Sequence, residues 1–258
     1  MPEFTSYPPG IFSWVDHGAK DIAASNSFYS GLFGWDAEDQ GEDAGHYTIL
    51  SKAGKTVAGN MGIMMEGQPS AWTSYVSVED ADKTVALAKD AGAMVFVEPM
   101  DVMDIGRMAV FADTTGAAIG IWQPKTFIGA ELANEAGSFC WNELNTRDVP
   151  AAKAFYSQVF GWTPNDLEMP GMAYTEWKLG DRSIGGMMTM PEMVPAEVPA
   201  HWLVYFGTDD TDATVATAEK LGAATLMPPT DIPPGRFSVL MDPDGAAFAV
   251  IKMNPMES

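Results

Sequence analysis

The chain opens on apolar positions at strand spacing: residues 11–17 read IFSWVDH, a short strand ending in polar residues. After Asp21 the period lengthens. Ala24, Phe28 and Leu32 recur at i, i+4 and i+8, one face of a helix that Asp21 caps and Gly34 stops. The pattern then predicts strands over 46–52 and 56–65, joined by a turn at Gly54, and a loop over 67–70. A second unit follows the same order. It has a strand over 72–78, a helix from the Asp80 cap to Ala91 with Gly92 as its stop, and strands over 94–98, 108–113 and 117–122. This reads as two successive β-α-β-β-β units of about 50–60 residues each.

The whole pattern is then written again. Residues 27–35, SFYSGLFGW, return as AFYSQVFGW at 154–162, an offset of 127 (154 − 27) with six of nine positions identical. The same offset pairs Trp14 with Trp141, Asp21 with Asp148, and Tyr47-Thr48 with Tyr174-Thr175. Later landmarks drift, Trp72 pairing with Trp202 at 130 (202 − 72) and Asp113 with Asp242 at 129 (242 − 113). That drift places an insertion in the Pro-rich stretch near 190–200 and a deletion near 232–235, where loops tolerate them. The chain is a tandem duplication. Its domains are expected at 8–125 and 135–254, with residues 124–135 as the linker.

Composition narrows the function classes. Of 258 residues, 35 are acidic and 14 basic, net −21, and no Lys/Arg cluster breaks the excess. Such a surface disfavours nucleic acid and anionic membranes and favours cationic small molecules, although solubility or salt adaptation is the plainer account of it. No apolar run approaches the ~20 residues of a membrane span, and no signal-peptide pattern opens the chain, so a soluble, cytoplasmic protein is expected. Cys140 stands alone, which excludes an internal disulfide and reads as a small buried hydrophobe. Methionine gathers at Met61, Met64 and Met65 and again at Met187, Met188, Met190 and Met193, either as core or as an adaptable binding surface.

The FYxxxFGW helix, the Asp-capped second helix ending in Gly-Ala, and the closing DTTG (113–116) and DPDG (242–245) resemble the vicinal oxygen chelate superfamily. That superfamily includes glyoxalase I, extradiol dioxygenases and bleomycin resistance proteins. The likeness is nearest to tandem glyoxalase-like proteins of actinobacteria, among them the mycobacterial secreted-antigen and "hydroxylase" types. The resemblance implies an α+β fold in which each pair of β-α-β-β-β units forms a cupped, incomplete barrel. It also implies metal ligands at four inward positions per cup. Here these fall on Trp14, Gly59, Thr73 and Gly120, and on Trp141, Gly186, Leu203 and Ala249. None offers an imidazole or carboxylate, so no metal or other cofactor is expected.

What the cups retain is aromatic and acidic. Strand alternation puts Trp14 and Asp16 on one face, and Trp141, Glu143 and Asn145 on the matching face of the second copy. Trp72, Tyr75, Trp122, Trp202 and Tyr205 lie on or near the other lining strands. These rings either form a stacking site for a flat, aromatic or cationic ligand or simply plug the vacated metal sites. Phe28, Phe33, Phe155 and Phe160 read as core. His17 is expected to point outward and His46 to open an outer strand, whereas His201 and Glu143 form the best acid–base pair available. Arg107 and Arg236 are expected in structural salt bridges. Two functions survive: a metal-free binding protein for a small molecule, or an enzyme on a small oxygenated metabolite using Glu143 and His201. A weaker variant relocates a metal to Asp16, Glu143 and His201. Duplication supplies both halves of a cup pair, so a monomer or weak homodimer is expected.

Overall fold

In the computed structural model, which describes residues 3–63, 67–169, 172–192 and 194–254, each copy forms one open, eight-stranded mixed sheet. The first contains β1 (Phe12–Ala19), α1 (Ile22–Phe33), β2 (Asp36–Asp39), β3 (Thr48–Lys52) and β4 (Lys55–Gly62). Its second unit is β5 (Ala71–Ser77), α2 (Ala81–Asp90), β6 (Met94–Val102), β7 (Gly106–Ala112) and β8 (Ala118–Pro124). The second copy opens with β9 (Phe139–Thr146), α3 (Val149–Phe160), β10 (Thr163–Met169), β11 (Met172–Leu179) and β12 (Arg182–Thr189). It closes with β13 (His201–Gly207), α4 (Thr211–Lys220), β14 (Ala224–Ile232), β15 (Gly235–Met241) and β16 (Ala247–Met253). Strand orders are β2-β3-β4-β1-β5-β8-β7-β6 and β10-β11-β12-β9-β13-β16-β15-β14, the same arrangement twice. The α+β class and the paired β-α-β-β-β units are as the sequence implies.

Local chemistry explains the elements. Asp21 and Asp148 accept from the Ala24 and Ala151 amides, 3.0 Å in both cases, and so cap α1 and α3. Gly34 (φ 70°) and Gly161 (φ 69°) end these helices in the left-handed region that glycine adopts without a Cβ penalty. Strand β2 escapes the sequence pattern because DAED offers only the small Ala37 as an apolar position. It is exposed throughout and exists by pairing with β3. Of the clustered methionines, Met64, Met65 and Met193 lie outside the described residues. Among the described residues no helix is long and apolar enough to cross a membrane.

The two sheets turn their helix-bearing faces toward each other and share one core. Across the boundary Phe28 meets Phe248 (6.2 Å between ring centroids), Phe111 meets Phe155 (6.1 Å) and Trp72 meets Phe206 (5.0 Å). Each such side chain contributes roughly 1.5–3 kcal/mol by leaving water. His17 belongs here too. It was expected to face outward and is instead fully buried, because the second domain covers that face of β1. Its Nδ1 contacts Ser25 Oγ (3.0 Å) and Asn60 Oδ1 (3.2 Å), and Nε2 stands 3.0 Å from Asp242 Oδ2 without the alignment of a hydrogen bond. Arg107 and Arg236 form the expected surface salt bridges, chiefly with Asp82 and Asp212 of the preceding helices (2.8 and 2.7 Å). The cups lie on the opposite faces of the sheets.

Candidate functional site

Strand register builds the cups. In the first, Asp16 on β1 lies opposite Gly59 on β4 and Thr73 on β5, while Trp14 faces Tyr75, which in turn faces Gly120 on β8. In the second, Glu143 on β9 lies opposite Gly186 and Leu203, while Trp141 faces Tyr205, which faces Ala249. Each cup therefore holds one tetrad of Trp, Tyr, carboxyl and Tyr. Trp14 Nε1 donates to Tyr47 Oη (2.9 Å), and Tyr47 donates to Asp16 Oδ2 (3.4 Å), which Tyr75 also contacts. Trp141 Nε1 donates to Tyr174 Oη (3.0 Å), and Tyr205 Oη donates to Glu143 Oε1 (2.9 Å), which Tyr174 also contacts.

The glycines are part of this arrangement. A Cβ at Gly59 would overlap the Tyr47 hydroxyl, one at Gly120 the Tyr75 ring, and one at Gly186 the Tyr174 hydroxyl. Phenols occupy the volume that ligand side chains would need. The remaining donors are one carboxyl and neutral phenols, which do not fit a divalent ion that needs several deprotonated oxygen or imidazole ligands. Among the described residues no cluster of three or more His, Cys, Asp or Glu side chains could hold a metal. Asp16 belongs to one sheet, and Glu143 and His201 to the other, and among the described residues these three do not form such a cluster.

The cups differ in access. The linker crosses the Trp14 end of the first. Phe127 packs edge-on against Trp14 (5.0 Å) and Trp122 (5.9 Å), Trp122 Nε1 donates to Phe127 O (2.8 Å), and the Ala130 amide donates to Ser13 O (2.8 Å). Trp14 is left 5% exposed. Among the described residues nothing covers the second cup in this way, and Trp141 is half-buried where Trp14 is buried, whereas Tyr174 matches the half-buried Tyr47 and Glu143 and Tyr205 are as buried as Asp16 and Tyr75. Its wall is apolar: Leu203, Ile251, Ile232, Phe237, Val239 and Ala249 pack with Tyr205 and Trp141. The second cup is the one whose tryptophan reaches the surface.

Burial governs protonation. It pushes Asp16 up to about 7, against hydrogen bonds from Tyr75 and Tyr47. Burial likewise raises Glu143, opposed by Tyr205, Tyr174 and Asn145. Tyr205 and Tyr174 are raised by burial and then by the nearby carboxyl, so both remain phenols. Burial lifts the Cys140 thiol to about 12, which leaves it a poor nucleophile.

Of the residues proposed from sequence, Trp14, Asp16, Tyr75 and Trp122 gather in the first cup, and Trp141, Glu143, Asn145 and Tyr205 in the second. Asn145 sits beside Glu143, its Nδ2 donating to the Glu143 carbonyl (3.4 Å). Trp72 and Trp202 do not line a cup. Their strand positions fall on the opposite face, where their indoles donate to Tyr29 and Tyr156 (2.8 Å each) inside the interdomain core. His201 shares the Glu143 face but lies at the far end of β13, opposite Asn145, with Nδ1 3.0 Å from Pro199 O; the partner of Glu143 is Tyr205. Sequence reasoning missed Tyr47, Tyr174 and Phe127, although the repeated Tyr-Thr pair at 47–48 and 174–175 was a visible signal for the first two. Two cavities lie outside the cups. One, about 280 Å³, sits at the domain junction beside Lys52, Gly137 and Thr208; the other, about 250 Å³, sits between α3 and β10–β12 and shares only Tyr174 with the tetrad. Neither contains Asp16 or Glu143.

Comparison with known proteins follows the same two halves. The Glyoxalase/Bleomycin resistance protein/Dioxygenase superfamily profile matches residues 11–121 and 139–250. The chain is 40% identical over 264 residues to the provisionally named glyoxylase CFP32 of Mycobacterium bovis, covering 100% of both chains. It is 39% identical over 266 residues to the anthracycline biosynthesis protein DnrV of Streptomyces peucetius, covering 96% of this chain and 95% of the other. Among solved structures, the 2,3-dioxygenase LapB from Pseudomonas sp. KL28 aligns with a TM-score of 0.66 at 12% identity, over 96% of this chain and 93% of that one. The Mn(II)-bound glyoxalase from Novosphingobium aromaticivorans aligns at 0.64 and 17%, over 95% and 82%. These structural likenesses concern the fold alone.

Proposed function

The chain belongs to the glyoxalase/bleomycin resistance protein/dioxygenase superfamily, and we propose that within it this protein binds a flat aromatic small molecule, without a metal ion, in its second cup. The observation that carries the reading is the Trp141–Tyr174–Glu143–Tyr205 tetrad with its half-buried Trp141, standing where Gly186, Leu203 and Ala249 supply no ligand. Trp141 offers an indole face for stacking, the apolar wall excludes water, and the carboxyl and phenols orient polar groups of the ligand. The relative named for anthracycline biosynthesis supports a planar polycyclic ligand. Metal analysis of the purified chain, followed by tryptophan-fluorescence titration with planar tricyclic compounds, tests it. Saturable quenching that Trp141→Ala abolishes supports the reading; stoichiometric metal that survives dialysis, or no binding by any such compound, sinks it.

One observation favours a second reading, an enzyme of lyase, isomerase or oxygenase type on a small oxygenated metabolite. Glu143 is a carboxyl whose pKa burial raises, with a phenol at 2.9 Å, the setting of a general acid or base. The pair is Glu143 and Tyr205, with His201 outside it. Turnover that Glu143→Gln removes while ligand affinity persists would select this reading over pure binding.

A further inference from the structure

We infer that the first cup is a second site for the same class of planar aromatic ligand, and that Phe127 fills it as a built-in substitute for the ligand's ring. The inference takes its ligand class from the second-cup reading above and adds where the ring sits. Both cups present one frame. Trp14 Nε1 donates to Tyr47 Oη at 2.9 Å and Trp141 Nε1 to Tyr174 Oη at 3.0 Å, so each indole is pinned by its edge. Tyr75 lies opposite Trp14 and Gly120, as Tyr205 lies opposite Trp141 and Ala249. The cups differ in what rests against the indole. In the first, the Phe127 ring meets Trp14 at 5.0 Å and 86°, and Trp122 backs Phe127 at 5.9 Å and 84°. Gly106 makes room for the Trp122 indole, which a Cβ there would overlap.

In the second cup no ring pairs with Trp141 among the described residues. Ile251 stands at the strand position of Trp122, and Phe237 beside it turns to Tyr205, 6.1 Å away. Trp141 is half-buried where Trp14 is buried. The first cup thus shows what this frame accepts against its tryptophan, an uncharged planar ring. The linker holds that ring in place by its backbone. The Phe127 amide donates to Ile105 O (3.1 Å), Phe127 O accepts from Trp122 Nε1 (2.8 Å), and the Ala130 amide donates to Ser13 O (2.8 Å). Gly129, at φ 103°, passes so close to β1 that a Cβ would overlap Ser13 O. A ring on so short a tether has an effective concentration on the order of millimolar or more, so a free ligand at micromolar levels does not displace it. Removing the Phe127 side chain leaves these backbone anchors intact and empties the seat.

The test counts binding sites on the full chain by calorimetric titration with an anthraquinone that carries a neutral solubilising chain. A neutral probe avoids unspecific attraction to a chain of net charge −21. Wild type is expected to bind one equivalent, which Trp141→Ala removes and Trp14→Ala does not. Phe127→Ala should bind two, the new one within about tenfold of the first in affinity. Phe127→Ala with Trp141→Ala should keep one, and Phe127→Ala with Trp14→Ala should return to the single second-cup site. Thermal melts verify that each variant folds, and Phe127→Val serves in place of Phe127→Ala if the latter does not. One equivalent in a folded Phe127 variant overturns the inference and leaves the second-cup reading standing. Two equivalents in wild type, one lost in Trp14→Ala, also overturn it, since Phe127 then does not hold the seat. No binding by wild type with one equivalent in Phe127→Ala upholds the first-cup site and sinks the second-cup function. No binding by either sinks both.

Discussion

Tyr29 in α1 of the first domain donates its hydroxyl to Asp242 Oδ2 in the closing turn of the second, 2.8 Å away and fully buried. The two most conspicuous repeated texts, FYxxxFGW and the D-x-x-G turn, thus meet across the domain boundary. Tyr29 also accepts from Trp72 Nε1 (2.8 Å), and Asp242 receives the amides of Asp244 (3.0 Å) and Ala246 (2.8 Å). Tyr156 sits against Asp113 in the pseudo-equivalent place. The helix motif is a coupling device between domains.

Tyr29→Phe is accordingly expected to destabilise the chain by about 1–3 kcal/mol, because it removes the phenol donor from a buried carboxylate oxygen and strands an indole N–H. Urea unfolding measures it. Asp242 is held below the usual carboxylate range: burial, which alone would raise it, is outweighed by His17 and Tyr29. Its contribution is present above the unfolded aspartate value and is lost as pH falls through the lowered one.

Asp16 gives the opposite sign. Its folded-state value of about 7 lies above the ordinary aspartate value of 3.8, so folding favours the protonated form. Stability is full below about pH 4 and declines by a few kcal/mol as pH rises toward 7. Asp16→Asn should flatten that decline in melts across the range while leaving ligand binding unchanged. Loss of binding in this variant would place the working site in the first cup.

The two tryptophans should separate by access. Trp141→Ala is expected to reduce affinity for a planar ligand by about tenfold or more through lost stacking area. Trp14→Ala should cost about 3–5 kcal/mol of stability, since Trp14 is packed under Phe127, with ligand affinity retained. Parallel melts and titrations of both variants distinguish a binding ring from a core ring.

Protein purified without added metal should hold less than about one equivalent of Zn, Ni, Mn or Fe, given the donors present. Gly186→Glu alone should destabilise the fold, because the new side chain meets the Tyr174 hydroxyl. Pairing it with Tyr174→Ala relieves that clash, which thermal melts of the single and double variants would show. Stoichiometric metal in the wild-type chain refutes the underlying account.

His201→Ala should change neither ligand affinity nor any turnover by more than about twofold, as its ring contacts Pro199 O and not Glu143. A large loss of rate would restore the acid–base pair that the sequence points to.

The duplication, the helix caps and most strands were legible from sequence, because repeat offsets, capping side chains and apolar period are local properties of the chain. Alternation also placed Trp14 with Asp16 and Trp141 with Glu143 on the cup faces, since period two belongs to a single strand. Which face of β5 and β13 those strands share was settled only by register: Trp14 pairs with Tyr75, which turns the neighbouring parity, and Trp72 with it, into the interdomain core. His17 is buried for the same reason, by a domain more than 200 residues away in sequence at Asp242. Tyr47 reaches its carboxyl from the loop before β3 and Tyr174 from β11, and Phe127 closes one cup from the linker. Periodicity says that a side chain points to one side of its strand. What waits on that side is decided by residues far along the chain, and only their packing buries one cup's tryptophan and leaves the other's half-buried.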